Sequence, residues 1–195
     1  GDVQGRADGG GKEKVAILRH PDVRRMLLSM KARTEAARAL AYYTAAAIDR
    51  SLRDPDTDAR ARASALVDFL TPVVKAWPTD LACEIASTGI QVHGGMGFIE
   101  ETGAAQHLRD ARITPIYEGT NGIQARDLVS RKVLREGGES ARALIAAMRI
   151  DEAALGGAAD GDLGAIRARL GQGIAAFEAA TGWLLEAGAS DPRLA

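Results

Sequence analysis

Two long stretches of helical spacing constrain this chain more than anything else in it. In "HPDVRRMLLSMKARTEAARALAYYTAAAIDRSL" the apolar residues Val23, Met26, Leu27, Met30, Ala37, Ala41, Ile48 and Leu52 form one stripe. That period belongs to one face of an α-helix, and no run alternates apolar and polar residues for long, as a half-buried strand would. Pro21 suits a first helical turn, where its missing N–H has no partner to lose. "RDPDTD" (53–58) then breaks the helix and offers Asp and Thr as caps for the next. From about Asp58 to Val92 a second stripe follows: Leu66, Phe69, Val73, Trp77, Leu81, Ile85 and Val92. Pro72 and Pro78 fall inside it and predict a kink or short break. Two helices of this length joined by a short turn must bury their stripes against each other, the arrangement of a helical bundle.

The remainder continues in the same mode. Gly94, Gly95 and Gly97 end the second helix. A short helix is expected over 101–108, then an extended link, "ARITPIYEG", because Pro115 disfavours helix at Thr114. Thr120 can cap a further helix to about Arg135, where "EGG" stops it. Two more helical stretches, 139–150 and 162–187, flank the break "LGGAADGD"; the last carries Leu163, Ile166, Leu170, Ile174, Phe177, Leu184 and Leu185 at helical spacing. Nothing reads as a strand. The expected fold class is all-α: an up-down helical bundle over 1–137 and a helical C-terminal extension over 138–195. The polar opening "GDVQGRADGGGKEK" has no initiator Met and reads as part of something longer, and the extension reads as truncated.

Several function classes are disfavoured at once. With 195 residues, 46% of them hydrophobic, the chain can bury a real core. A formal charge of −1 and a pI of about 6.4 give no electrostatic footprint for nucleic acid or anionic lipid. Cys83 stands alone, which excludes an internal disulfide and fits a reducing compartment, with a cytoplasmic setting expected. No apolar run approaches the ~20 residues of a membrane span. His20, His93 and His107 are scattered and no Glu-x-x-His pair occurs, so no metal site is expected. There is no Gly-x-Ser-x-Gly, and Cys83, between Ala and Glu inside a helix, reads as a packing residue.

Two segments carry possible chemistry. In "QVHGGMGF" (91–98), Gly94, Gly95 and Gly97 allow close approach of backbone to a phosphate or sugar, and Gln91 can present an amide there. The same letters also describe a plain helix end followed by a turn. In "IYEGTNGIQ" (116–124), Glu118 lies just ahead of a helix start, where an acidic group is favoured by the dipole with no further role. Taken alone, the segment favours that plain role, with a base as the alternative.

Taken jointly and in order, "QVHGGMGFIEETGAAQHLRDARITPIYEGTNGIQ" resembles the C-terminal domain of acyl-CoA dehydrogenases. The resemblance rests on a Gln-x-x-Gly-Gly-x-Gly-Phe turn, Arg109-Asp110 ahead of the basic Arg112, and Ile-Tyr-Glu-Gly-Thr. It extends back through "HPDVRRMLLSMKARTEAARAL" and forward to about Arg135. It implies that Glu118 is the base removing the α-proton of an acyl-CoA thioester, while the β-hydrogen leaves as hydride to N5 of FAD and a trans-2-enoyl-CoA results. Tyr117 and Gly119 then lie along the substrate, with the Gly119 region's amide placed for the thioester carbonyl. Thr120, Asn121 and Gly122 match positions beside FAD; Gln91, Val92, His93, Gly94 and Gly95 match the segment reaching its adenosine end. An isolated Glu titrates at about 4.3, so burial against flavin and thioester is expected to strengthen Glu118 as a base.

The resemblance further implies an oxidoreductase of fatty acid metabolism, electron-transfer flavoprotein or a similar acceptor, and a homodimer or homotetramer. Gly122 departs from the Gln that many members carry, leaving only backbone there. An arginine that members use near the start of the first long helix is not matched, since Asp2 and Gln4 stand in its vicinity and Arg6 is a weak substitute. The segment after Gly138 is similar to the extension of long bacterial members, such as those acting on 3-methylmercaptopropionyl-CoA. A non-catalytic relative, serving oligomerisation or DNA association, is the competing reading; retention of Glu118 and the near-neutral charge weigh against it.

Overall fold

The structure, a computed structural model, describes residues 3–6, 13–157 and 161–191. The fold class is all-α. The helices are α1 (Pro21–Arg53), α2 (Thr57–His93), α3 (Gly95–Phe98), α4 (Ala104–Arg112), α5 (Asn121–Asp127), α6 (Glu139–Ala154) and α7 (Asp162–Ser190). A π-helix, Leu128–Leu134, continues α5, and short 3-10 turns cover Ile17–Arg19, Glu100–Thr102 and Leu155–Gly157.

Several sequence expectations about the elements need correction here. A small ribbon exists: β1 (Val3–Arg6) pairs antiparallel with β2 (Lys14–Ala16), Val3 opposite Ala16 and Arg6 opposite Lys14. Strands of four and three residues are too short to show an alternation, and backbone pairing rather than side-chain pattern makes them. The link after α4 is not extended but wound into turns. Thr114 N–H donates to Ala111 O (3.0 Å), and the N–H groups of Ile116 and Tyr117 both donate to Ile113 O (2.9 and 3.1 Å). Pro115 has no N–H to give, yet its neighbours do, and each finds a carbonyl three or four residues back.

Helix α2 runs unbroken through Pro72 and Pro78, so the expected break is absent. Thr71 donates its hydroxyl to Val67 O (2.7 Å), and Thr79 donates to Lys75 O (2.7 Å) and Ala76 O (2.9 Å). These bonds engage carbonyls close to those the prolines leave without a backbone donor. Pro72 is fully buried, so packing also holds the helix through it. The predicted helix over 101–108 begins instead at Ala104, after α3 and a 3-10 turn.

The chain divides into two compact units: residues 1–43 with 74–120, and residues 44–73 with 121–195. In the first, the α1 and α2 stretches run antiparallel. Arg33 pairs with Glu84 at 2.6 Å, and a Cβ on Gly89 would stand 3.7 Å from Met30 Cε. Cys83 bridges elements too, its thiol donating to Ala111 O at 3.5 Å where α4 ends.

The second unit contains the turn between α1 and α2 that the sequence placed at "RDPDTD". Asp54 Oδ1 accepts from Asp56 N–H (3.0 Å), Asp56 Oδ1 accepts from Asp58 N–H (2.9 Å), and Arg60 donates to Asp54 O (2.7 Å). These side-chain bonds satisfy donors that the start of α2 would otherwise leave unpaired. Its core is built from both ends of the sequence. Phe69 of α2 stacks obliquely on Phe177 of α7, ring centroids 6.4 Å apart, and Ile174 and Ala141 are wholly buried. Arg149 of α6 donates to Glu152 (3.0 Å) and to Glu178 of α7 (3.2 Å), tying the last two helices together. The segment 138–195 thus packs into one unit with 44–73 and 121–137.

The helical stripes are legible with local slips. Val23, Met26, Leu27 and Met30 face inward in part, but Ile48 and Leu52 are exposed and Thr44 and Ala47 take the buried positions. Asp2 lies outside the described residues, as do 7–12 of the glycine-rich opening, 158–160 of the later break and 192–195 at the end.

Candidate functional site

The glycine segment is a compact corner. Helix α2 stops at His93, whose Nδ1 lies 2.8 Å from Gly89 O, a carbonyl that can only accept, so that Nδ1–H donates there. Gly94 follows at φ 63°, ψ −147°, a region that essentially only glycine occupies. The chain then turns into α3, where Gly97 is buried. A Cβ on Gly97 would fall 2.3 Å from Ile90 O and 2.9 Å from His93 Cβ, so this glycine is what lets α3 fold back onto the end of α2. Gly94 and Gly95 are the opposite case: a Cβ on either meets nothing within 4 Å, and both face open space.

The next turn is pinned by residues whose part in it went unread in the sequence. Thr102 donates its hydroxyl to Met96 O (2.7 Å) and Ile99 O (2.9 Å). Arg109 of α4 forks onto Glu100, Nη1 to Oε1 at 2.9 Å and Nη2 to Oε2 at 3.1 Å. These hydrogen bonds, with Arg109's charge, hold the Glu100 carboxyl below its usual range, and Glu100 raises Arg109 in return. The signal available was an acidic pair, Glu100 and Glu101, nine and eight residues before a lysine-free basic position, which cannot say which carboxylate is chosen.

The acidic turn carries the strongest local feature. Glu118 has φ 52°, and among the described residues it is the only non-glycine residue with positive φ. Gly119 follows at φ 86°. An L-residue in the left-handed region costs about 1–2 kcal/mol, and non-glycine residues held this way cluster at functional sites. Within these residues Glu118 is exposed, so the expectation of a dry carboxylate is not met by this chain alone. Tyr117 is half exposed, and Gly119 and Thr120 are exposed, while Asn121 and Gly122 form the first turn of α5. Gln91 is exposed, as is His93; Val92 is partly buried.

Two apolar clefts open in the first unit. One, of about 730 Å³, runs between α1 and α2 and is lined among others by Met30, Arg38, Leu81, Ile85, His93 and His107. The other, of about 910 Å³, is lined by Phe98, Ile99, Ile113 and Ile116 among others. Phe98, which closes the glycine segment, and Ile116, which opens the acidic one, therefore border one concave surface, of the size that ligand sites have. Of the residues expected from sequence to bind substrate or cofactor, His93 lines the first cleft; Glu118, Tyr117 and Gly119 lie outside both linings. Among the described residues, no cluster of His, Cys, Asp and Glu is arranged to hold a metal ion, and no helix is long and apolar enough to cross a membrane.

Comparison with known proteins bears on the whole chain. Residues 6–134 match the family described as acyl-CoA dehydrogenase, C-terminal domain. The 3-methylmercaptopropionyl-CoA dehydrogenase of Ruegeria pomeroyi is 50% identical over 99% of this chain and 33% of its own length. The broad-specificity linear acyl-CoA dehydrogenase FadE5 of Mycobacterium tuberculosis is 38% identical over 89% of this chain and 29% of its own length. A butyryl-CoA dehydrogenase of Syntrophomonas wolfei is 42% identical over 64% of this chain. A solved structure of Bd2924 in its apo form superposes with a TM-score of 0.63 at 21% identity, covering 92% of this chain and 36% of that one, and bears on the fold alone. The chain thus spans about a third or less of the curated relatives it matches. With the family match covering most of its length, it belongs to the acyl-CoA dehydrogenase family, whose C-terminal domain it carries.

Proposed function

We propose that this chain is the C-terminal part of an FAD-dependent acyl-CoA dehydrogenase that converts an acyl-CoA thioester to its trans-2-enoyl-CoA, with Glu118 as the base. The observation that supports the reading is the left-handed backbone of Glu118 beside Gly119, strain held at the carboxylate of the Ile-Tyr-Glu-Gly-Thr segment. Its exposure here leaves the carboxylate accessible, and the parts of the protein beyond these residues would cover it. Once water is excluded, loss of solvation would make the Glu118 carboxylate a stronger proton acceptor for the α-hydrogen. A backbone N–H of the Glu118–Gly119 stretch would donate to the thioester carbonyl, making the α-proton more acidic as enolate charge develops. Tyr117 would line the substrate's path.

The residues present fit FAD. Gly94 and Gly95 expose backbone where a side chain would otherwise stand, room that the adenosine end of a dinucleotide requires. Gln91, Val92 and His93 would flank it there, and Thr120, Asn121 and Gly122 would hold the cofactor nearer the base. FAD, when bound, supplies the acceptor for the β-hydrogen, taken as hydride at N5. Electron-transfer flavoprotein or a similar acceptor, a homodimeric or homotetrameric assembly and a bacterial cytoplasmic setting complete the reading.

In the full-length enzyme, Glu118→Gln should lower kcat by about 10²–10⁴-fold, the usual weight of a positioned general base, while FAD stays bound. Turnover by that variant near the wild-type rate would remove Glu118 from the chemistry. A panel of acyl-CoA thioesters, 3-methylmercaptopropionyl-CoA among them, read by bleaching of flavin absorbance, would identify the substrate; no bleaching with any thioester would sink the reading.

A further inference from the structure

Lys132 is the one ionisable side chain among the buried residues described, 8% exposed, and its Nζ is paired with the carboxylate of Asp68 on α2. It sits in the π-helix Leu128–Leu134, next to Val133, which is 3% exposed. The wide turn is closed by a bond from Arg135 N–H to Ser130 O at 3.2 Å, five residues back. A turn closed this way takes up roughly one more residue than an α turn, so it changes the angular phase between the residues on either side of it. Lys132 and Val133, fixed inward, lie within the π-helix, and its first residues, from Leu128, separate them from α5. Ahead of it, along an unbroken helical run, is the first turn of α5 with Asn121 and Gly122.

An ion pair whose ammonium is buried, with its carboxylate half exposed, is poorly explained by stability. Compared with apolar residues of the same volume it contributes little, because desolvation offsets the attraction; its best-attested use is to specify register. An aliphatic side chain at 132 could settle into the core at several rotations of the helix. An ammonium that must meet one carboxylate cannot. We propose that Lys132, held by Asp68 and phased by the π-helix, is a positioning residue: it fixes the rotation of the helix that begins at Asn121, and so the placement of Asn121 and Gly122 toward FAD. This rests on the reading that those two residues contact the cofactor.

The test uses the full-length enzyme and measures the FAD dissociation constant and thermal unfolding of the apoprotein. Lys132→Met with Asp68→Asn removes both charges while keeping an apolar filler in the core. The expected result is an unfolding midpoint at or above wild type together with FAD binding weakened about tenfold, the weight of roughly one hydrogen bond. Lys132→Arg, which can still reach Asp68, should restore most of that affinity. FAD affinity unchanged in the double variant overturns the proposal. If the double variant does not fold, Asp68→Asn alone serves, since Asp68 is 56% exposed at its side chain, and unchanged FAD affinity there overturns it equally. Failure of the functional reading is seen separately, as wild-type apoprotein that takes up no FAD or as Glu118→Gln that still turns over.

Discussion

The two compact units solve opposite problems with the same kind of helix. Residues 44–73 and 121–195 contain most of the buried apolar side chains, among them Phe69, Leu70, Val133, Ile145 and Ile174. Among the described residues, 1–43 and 74–120 contribute only Leu81 and Ala104 to that set, and leave Phe98, Ile99, Ile113 and Ile116 exposed around an open cleft. Backbone of unusual conformation is distributed the other way. Glu118, Gly119 and Gly94 belong to the loosely packed unit, and the packed one keeps its positive-φ glycines at helix ends such as Gly138. A region that must admit a ligand cannot also fill itself with its own side chains. The packing that holds the chain together is supplied by the other unit, where the C-terminal helices take part.

The contrast can be broken most sharply at Ile174. It is fully buried, so Ile174→Ala should cost about 2–5 kcal/mol, read as a lower urea midpoint. A loss below about 1 kcal/mol would show that the C-terminal helices are not a true core. Next in size is Gly97→Ala. Its new methyl would meet the carbonyl of Ile90, a backbone atom that cannot step aside, and the expected loss is about 1–3 kcal/mol with weaker FAD binding in the full-length enzyme. Gly95→Ala, with open space around it, is the control and should leave stability nearly unchanged.

A smaller effect of opposite sign is expected at the acidic turn. Glu118→Gly relieves the left-handed strain and should stabilise the chain by about 1 kcal/mol while abolishing turnover of the full-length enzyme. A destabilised Glu118→Gly protein would mean that the turn is held by contacts of the carboxylate rather than against its preference. The smallest effect concerns Glu100. Its carboxyl titrates below its usual range because of Arg109, so the pair contributes stability above the ordinary carboxylate range and loses it as pH falls through the lowered value. Unfolding midpoints of wild type and Glu100→Gln should therefore converge on acidification and differ slightly at neutral pH. Because both groups are at the surface, the difference should fade at high salt.

Much of this architecture was legible before any coordinates. The apolar period placed α1 and α2, "RDPDTD" placed the turn between them, and the paired motifs pointed to the family. Three misjudgements share a cause. The continuity of α2 through Pro72 and Pro78, the turns at 113–117 and the ribbon at Val3–Arg6 each depend on where backbone donors and acceptors find partners. Side-chain patterning carries no record of that. The exposure of Ile48 and the burial of Thr44 are of another kind, since a helix's inward face shifts with whatever packs against it.

By itself the sequence determined which segments are helical and which carboxylate and glycines to examine, because helical period, caps and ordered motifs are local properties of the chain. Only the tertiary structure decided that Gly97 is a packing glycine while Gly94 and Gly95 stand open, that Glu118 adopts a left-handed backbone, and that Lys132 is buried against Asp68. Lys132 and Asp68 meet from 64 residues apart, while Gly97 and Glu118 are decided by how the backbone folds back within a few residues; in each case the energy arises from close contact, desolvation or backbone strain, which no spacing of letters encodes.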